Sequence, residues 1–155
     1  MALAAKQKDK VRRWIRVIMV FVAALLLLFA AAIPIVNNAI ALGVEKNLKN
    51  LPLPEKTELI ETTSKAGKFV GSGNGMQYFG AILVKSDLPY DTLQAYYEQH
   101  DCIVKAQLSD KIEWANSNAP SFRHKDYDGP YFIVYRWGSA PAWLRDLLDT
   151  DLRGH

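Results

Sequence analysis

The stretch that decides the architecture of this chain reads VIMVFVAALLLLFAAAIPIV and covers residues 17–36. It holds 20 residues without a charged or strongly polar side chain. As a helix that rises about 1.5 Å per residue, it covers about 30 Å, which matches the hydrocarbon core of a bilayer. A helix also satisfies its own backbone hydrogen bonds, which lipid cannot do. The run therefore predicts one transmembrane helix, with Trp14 at the headgroup level and Pro34 near its far end.

The charges on either side of this run predict its orientation. Residues 1–16 carry a net charge of +5. They hold one acidic residue, Asp9, and six basic residues, which are Lys6, Lys8, Lys10, Arg12, Arg13 and Arg16. The 15 residues after the run hold only Lys46, Lys49 and Glu45 as charged side chains. The positive-inside bias therefore predicts a cytoplasmic tail over residues 1–16 and a C-terminal part on the other side of the membrane.

The basic character of the chain is confined to this tail. The whole chain has a net charge of +3, so residues 17–155 sum to -2. The sequence pI of 8.9 therefore describes the tail and not a basic binding surface. This distribution argues against nucleic acid as a partner.

A cleaved signal peptide is the alternative to a membrane anchor. Residues 17–29 fit its apolar region, and residues 30–32 are three alanines that offer a cleavage site after Ala32. The apolar run continues through Ile33, Ile35 and Val36, which makes it longer than the 7–15 residues usual for such a region. The length favours an uncleaved anchor. Both interpretations place the remainder of the chain outside the cytoplasm.

Residues 37–54 predict a helical stalk and a proline-containing linker. Ile40, Val44, Leu48 and Leu51 recur at helical spacing, so the membrane helix is expected to continue as an amphipathic stalk. The prolines at positions 52 and 54 then end it. The apolar stripe either packs on the folded domain, which is the interpretation that we favour, or contacts the stalk of a partner.

Residues 55–155 predict an extracytoplasmic α+β domain. The strongest strand is MQYFGAILVK (residues 76–85), whose two faces are both apolar, so we expect it at the centre of a sheet. Further strands are predicted at residues 57–63, 69–70, 102–108 and 131–137, with a few extended residues at 112–114. A turn is predicted at residues 65–68 and a polar loop at residues 115–129.

Two helices complete this domain. The first follows Pro89 and carries a stripe of Tyr90, Leu93 and Tyr97. The second, capped by Ser139, is expected over about residues 140–152, and its inward positions are Trp143, Leu144, Leu147 and Leu148. The order of elements predicts an α+β fold: an N-terminal transmembrane helix, then a small, mainly antiparallel sheet with one or two packed helices.

One part of the chain resembles a known group of proteins. Residues 51–97 combine a Leu-Pro-rich lead, a strand, a Gly/Asn turn, an apolar strand that ends in Ser-Asp-Leu, and a helix with a Tyr pair. In this pattern the chain resembles a widespread kind of bacterial membrane-anchored extracytoplasmic domain, whose members are mostly uncharacterised. The resemblance implies an α+β architecture and a location in the cell envelope, and it implies no activity.

The glycine-rich stretch from Gly71 to Gly75 is a candidate phosphate-binding loop. A dinucleotide fingerprint needs a third glycine that opens a helix, but Met76 takes that position and a strand follows. The pair Asn74-Gly75 is typical of a type I′ turn, which is the interpretation that we favour.

Two other candidate sites involve histidine. Cys102 is the only cysteine, so no disulfide forms within the chain, and its place in an alternating pattern predicts burial. A catalytic pair with His100 is therefore disfavoured. The stretch RHKDYDG (residues 123–129) has oxygen ligands for a cation, but its basic residues and incomplete ligand spacing favour a polar surface loop.

A third group consists of tyrosines that belong either to the core or to a surface for carbohydrate or protein, namely Tyr90, Tyr96, Tyr97, Tyr131 and Tyr135.

The sequence predicts no catalytic, cofactor-binding or metal-binding residue. We expect a single-pass membrane protein whose domain is a non-enzymatic binding or assembly module of the cell envelope. Its expected partners are the lipid bilayer and an envelope protein. The alternatives are a membrane-held immunity or accessory factor and an envelope hydrolase. The loop acids that such a hydrolase would use are Glu113 with Asp126 or Asp128.

Overall fold

A computed structural model describes residues 2–69, 75–112, 120–151 and 153, with side chains from residue 10 onwards. Helix α1 covers Ala2–Lys49 and strand β1 covers Thr57–Gly67. Strand β2 (Gln77–Ser86) is followed by helix α2 (Tyr90–Glu98) and strand β3 (Ile103–Ala106). Strand β4 (Tyr131–Gly138) precedes a 3₁₀ turn at Ala142–Leu144 and a short helix α3 at Arg145–Leu148.

Helix α1 is long and apolar enough to cross a membrane. Its mean hydropathy reaches 2.9 over an 18-residue window, and only 6% of that window is buried against the rest of the chain. The core helix of a soluble domain would instead have most of such a window buried. Pro34 lies inside the helix without ending it.

The four strands form one antiparallel sheet in the order β1-β2-β4-β3, and the predicted α+β fold class is confirmed. Strand β2 pairs with β1 and with β4, so the prediction of a central strand is also confirmed. Its two faces belong to separate clusters, as the alternation predicts. Ile82 and Val84 lie in one cluster, and Phe79, Ala81 and Leu83 lie in the other.

The last turns of α1, together with α2, cover one face of the sheet. Val44 and Leu48 of α1 are buried, as are Leu93 and Tyr97 of α2. The apolar stripe of residues 40–48 therefore packs on the sheet of its own chain. On the opposite face, Ile112 and Phe122 of the long β3–β4 connection pack against the aromatic residues of β2 and β4.

Several element bounds differ from the prediction. Residues 65–67 continue β1 instead of turning, because β2 supplies pairing partners as far as Gly67, opposite Gln77. Phe69 lies in no strand; its ring packs against Phe79 and Trp137, and position 70 of the predicted strand lies outside the described residues. Strand β3 ends at Ala106, and Ile112 is not in a strand, whereas residues 113 and 114 lie outside the described residues.

The final helix is much shorter than predicted. Pro141, not Ser139, precedes its first turn, and the α-helical part ends at Leu148. The reason is that Asp151 turns inward to contact Asn37, which pulls the chain out of the helical path. Trp143 was expected to face inward, but it is 82% exposed, whereas Leu148 is buried as expected.

Candidate functional site

The described polar residue that is most deeply buried lies where the apolar run ends. Asn37 has no exposed surface, and its Nδ2 donates to the carbonyl oxygen of Leu148 at 3.1 Å and to Oδ2 of Asp151 at 2.8 Å. Its Oδ1 accepts a hydrogen bond from the hydroxyl of Tyr78 at 2.8 Å. The side chain thus ties α1 to strand β2 and to the C-terminal segment.

Arg153 extends this network to the apolar run of the helix. Its Nε and Nη2 donate to the carboxylate of Asp151 at 3.1 and 2.8 Å. Nη2 also donates to the carbonyl oxygen of Pro34 at 3.0 Å and to Oδ1 of Asn38 at 3.4 Å. We refer to Asn37, Tyr78, Asp151 and Arg153 as the junction network.

Electrostatics within the junction network perturb two of its groups. The hydrogen bonds from Arg153, with help from that of Asn37, lower the pKa of Asp151 from 3.8 to about 2 although its burial opposes this. Burial, together with the negative charges of Asp149 and Asp151, raises the pKa of Tyr78 to about 12. The network therefore holds one ion pair and a neutral phenol at ordinary pH.

Two glycines let α1 approach the sheet closely. A Cβ atom on Gly80 would lie 2.7 Å from the backbone nitrogen of Glu45, and a Cβ atom on Gly138 would lie 2.4 Å from Cγ2 of Val44. Both glycines lie in strands, where a glycine often marks a close backbone approach. Their place in predicted strands was the signal in the sequence that could have indicated this contact.

Glu45 makes a second polar tie between α1 and the sheet. Its two carboxylate oxygens accept hydrogen bonds from the hydroxyls of Thr62 and Ser64 on β1. Hydrogen bonds to an ionised acceptor are among the stronger ones in proteins. The helix is thus held on both sides of its contact with the sheet, by Glu45 at β1 and by Asn37 at the C-terminal segment.

A cavity of about 610 Å³ opens beside this junction, between α1 and the end of β1. We call it the basic pocket. The described residues that line it include Lys65, Lys68 and Arg153, of which Arg153 is ion-paired with Asp151. Asn38 and Leu42 of α1 form its helical wall.

The glycine-rich candidate loop adjoins the junction at its last residue. Gly75 is described, and a Cβ atom there would lie 2.5 Å from a carboxylate oxygen of Asp149. The same carboxylate accepts the backbone N–H of Met76 at 2.6 Å. Residues 71–74 lie outside the described residues, so the type I′ turn stays a prediction.

The candidate cysteine is buried, and its thiol contacts the main chain. Cys102 is 3% exposed, and its thiol donates to the backbone carbonyl of His100 at 3.2 Å. Burial raises the pKa of this thiol, although Arg136 partly opposes the effect. The ring of His100 packs against Tyr96 instead. The predicted burial is confirmed.

The candidate cation loop is held by side chains of its own domain. Glu61 accepts the backbone N–H groups of Arg123 and His124 at 2.9–3.0 Å, and Lys125 forms an ion pair with Asp110. Asp126 accepts the backbone N–H of its neighbour at position 128. Within the described ranges no group of three or more His, Cys, Asp or Glu residues is placed to hold a metal ion.

The histidine of this loop belongs to an aromatic cluster. The His124 ring lies 5.2 Å from Tyr127 and 5.0 Å from Tyr131, measured between centroids. Nε2 of His124 and the hydroxyl of Tyr127 are buried without a hydrogen-bond partner among the described residues. Burial is the main cause that raises the pKa of Tyr127 to about 12.

Only two of the three acids nominated for a hydrolase are among the described residues. Asp126 and Asp128 lie on the exposed loop, whereas Glu113 lies outside the described residues. Of the five candidate tyrosines, three belong to the core, Tyr97, Tyr131 and Tyr135. Tyr90 and Tyr96 are partly exposed and donate to the carbonyl oxygens of Val104 and Pro52.

Mechanically, then, the site is a joint between an apolar helix and a folded domain. Asn37, Glu45 and Arg153 each tie the two together, and the basic pocket opens beside them. No protein-family model, no curated protein and no solved structure matches this chain.

Proposed function

We propose that this protein is a single-pass membrane protein that holds a binding or assembly domain on the extracytoplasmic side of the cell envelope. One observation carries the proposal. Helix α1 is exposed and apolar along residues 17–32, and the same helix is buried in the domain at Asn37, Val44 and Leu48. A helix that enters the core without an intervening linker fixes the domain at the membrane surface.

The orientation rests on charge. The six basic residues of the tail lie before the apolar run, and Lys46 and Lys49 after it are offset in part by Glu45. Because the short basic segment is retained in the cytoplasm, the tail is inside and the domain is outside. The envelope location of the domain follows from this orientation.

A binding role fits a domain that several contacts hold against its helix. The contacts that α1 makes with the domain are both polar and apolar. They involve strands β1 and β2 as well as the C-terminal segment. A module that must present one face to a partner at a fixed height gains from such a joint, because less conformational freedom is lost on binding. An immunity or accessory factor is one form of such a module.

Site-directed labelling tests the orientation. In a Cys102→Ser background, cysteine replaces either Asp128 on the exposed loop or Lys8 in the tail. A thiol reagent that does not cross membranes is expected to label D128C in intact bacterial spheroplasts and to label K8C only after lysis. The Cys102→Ser parent, which has no cysteine, controls for background. Labelling of K8C without lysis, with D128C protected, would refute the proposal.

The mass of the mature protein tests whether the helix stays attached. An uncleaved anchor predicts a chain that retains residues 1–32 and partitions with membranes after a carbonate wash. A mature chain that begins at Ile33 and is recovered as a soluble protein contradicts the single-pass anchor. This outcome leaves the side of the membrane unchanged, since a signal peptide directs export as well.

A further inference from the structure

We infer that the turn around Trp143 inserts into the headgroup layer of the membrane and gives the domain a contact with the lipid surface in addition to α1. The inference rests on the proposed function, because it needs α1 to cross the bilayer. It deepens that proposal by naming the surface on which the domain rests and the side chain that enters it. The position of the turn along α1, its composition and the exposure of its indole lead to this inference.

The C-terminal segment runs alongside α1 towards the apolar run. A Cβ atom on Gly138 would lie 2.4 Å from Cγ2 of Val44, so strand β4 ends beside that part of the helix. Fifteen residues later, Nη2 of Arg153 donates to the carbonyl oxygen of Pro34, which belongs to the apolar run. The segment thus passes from the level of Val44 to the level of Pro34, and Trp143 lies between its two ends.

Contacts next to Trp143 place the turn near the end of the apolar run. Leu144, the following residue, packs against the same cluster as Ile33. The carbonyl oxygen of Leu148 accepts a hydrogen bond from Asn37. At a rise of 1.5 Å per residue, these two positions of α1 lie within about 5 Å of the last residue of the run. The headgroup layer begins there and is about 5–8 Å thick on each side of the bilayer.

The turn is uncharged and projects from the domain. Residues 138–144 read GSAPAWL and contain no charged side chain. Positions 141–143 are exposed, and Trp143 keeps 82% of its surface accessible. Trp137, in contrast, packs its ring against Phe69 and Phe79. An uncharged turn loses no ionic hydration in the headgroup layer, and an indole is favoured there because its ring is apolar and its N–H can still meet water or a lipid oxygen.

Exposure alone does not identify a membrane contact, because Leu108 is 83% exposed as well. The preceding Gln107 donates its backbone N–H to Tyr131 at the start of β4. The junction network meets the opposite end of β4, where Gly138 pairs with Tyr78. With eight residues in β4 and a rise of about 3.3 Å per residue, the two ends are about 23 Å apart. Leu108 therefore lies away from the lipid and is the control position.

Depth-dependent fluorescence quenching in vesicles tests the inference. In the Cys102→Ser background, the full-length protein carries a single cysteine by the change Trp143→Cys, Leu108→Cys or Leu26→Cys, and each variant carries the same dye. The vesicles are phosphatidylcholine with spin labels at the headgroup or in the middle of the acyl chain. We expect headgroup labels to quench the dye at position 143 at least about threefold more than the dye at position 108. Mid-chain labels are expected to quench the dye at position 26 most strongly.

Position 26 separates failure of this inference from failure of the proposed function. If the dye at position 26 is quenched from the acyl chain while positions 143 and 108 are quenched equally, the inference is overturned and the membrane-spanning helix stands. If position 26 is not quenched either, α1 does not cross the bilayer, and both proposals are refuted.

The native indole gives a second measurement that needs no dye. Trp143→Phe removes the emission of this residue, so the difference between wild type and variant is the signal of Trp143. Because the side chain is exposed, the change leaves the core intact. Lipids brominated in the upper acyl chain are expected to quench about half of this difference signal. A difference signal that brominated lipids leave undiminished would overturn the inference.

Discussion

Asn37 shows how a single polar residue can specify where a long apolar helix meets its domain. A buried amide is costly unless its donors and acceptor are paired. Here Nδ2 has two acceptors in the C-terminal segment, and Oδ1 has one donor on strand β2. The partners lie 41, 111 and 114 residues away. A position shifted by one residue would turn the amide away from all of them, because each helical residue rotates the side chain by about 100°.

The ion pair between Asp151 and Arg153 predicts that the stability of the protein depends on pH. The pKa of Asp151 is about 2 in the folded protein and lies below its ordinary value of 3.8. The stabilisation is therefore complete above about pH 4 and is lost as the pH falls towards 2. For this nearly fully buried carboxylate it amounts to roughly 2 kcal/mol.

Asp151→Asn is expected to lower the free energy of unfolding by roughly that amount at about pH 6 and to have little effect near pH 2. Urea unfolding of the full-length protein in mild detergent measures both. Asp146→Asn, on the exposed surface of α3, is the control and should follow the wild-type curve. A difference between Asp151→Asn and wild type that stays constant down to pH 2 contradicts the assignment.

At the scale of elements, the close contact of α1 with β2 depends on Gly80. Backbone atoms of Val44 and Glu45 occupy the space that a side chain would need. A rigid backbone cannot swing aside as a side-chain terminus can, so α1 would have to move as a unit. The cost appears as lost packing of Val44 and Leu48, which α1 buries against the sheet.

Gly80→Ala is therefore expected to destabilise the protein by about 1–3 kcal/mol. Gly43→Ala is the matched control, because a Cβ atom at Gly43 meets no atom within 4 Å. Within a helix this second change should stabilise by about 0.5–1 kcal/mol. Thermal unfolding in the same detergent ranks the three proteins. An alanine at position 80 that is tolerated as well as the one at position 43 would show that α1 does not pack closely at this glycine.

Elements with strong local patterns were predictable, and those governed by distant contacts were not. The central place of strand β2 follows from a run that is apolar on both faces, and β4 was also predicted, at residues 131–137. The end of the final helix was missed, because the inward turn of Asp151 depends on Asn37, 114 residues earlier. The junction network was missed for the same reason: no local pattern brings Asp151 and Arg153 to α1.

Considered as a whole molecule, the chain shares one helix between two environments. Residues 17–32 are exposed and apolar, whereas Val44 and Leu48 belong to the core beneath the sheet. Burial of these two side chains contributes roughly 3–6 kcal/mol. A domain of this size has a total stability of about 5–15 kcal/mol, so it depends heavily on the last turns of α1.

Two fragments test this dependence. A fragment of residues 37–155 keeps Asn37, Val44 and Leu48, and we expect it to unfold cooperatively. A fragment of residues 55–155 begins at the predicted domain boundary and lacks all three, and we expect it to show exposed apolar surface and no sharp transition. Near-ultraviolet circular dichroism and dye binding measure the difference. Equal cooperativity of the two fragments would support the boundary at residue 55.

The single continuous helix has a mechanical consequence for the domain that it carries. A helix of 48 residues is about 72 Å long, so a tilt of its apolar part also moves its C-terminal end. When its apolar part is longer than the local hydrocarbon layer, such a helix tilts. Since Asn37 and Glu45 hold the domain directly on this helix, the domain tilts by the same angle. A change of lipid composition that thins the membrane would thus change the orientation of the whole domain relative to the membrane surface.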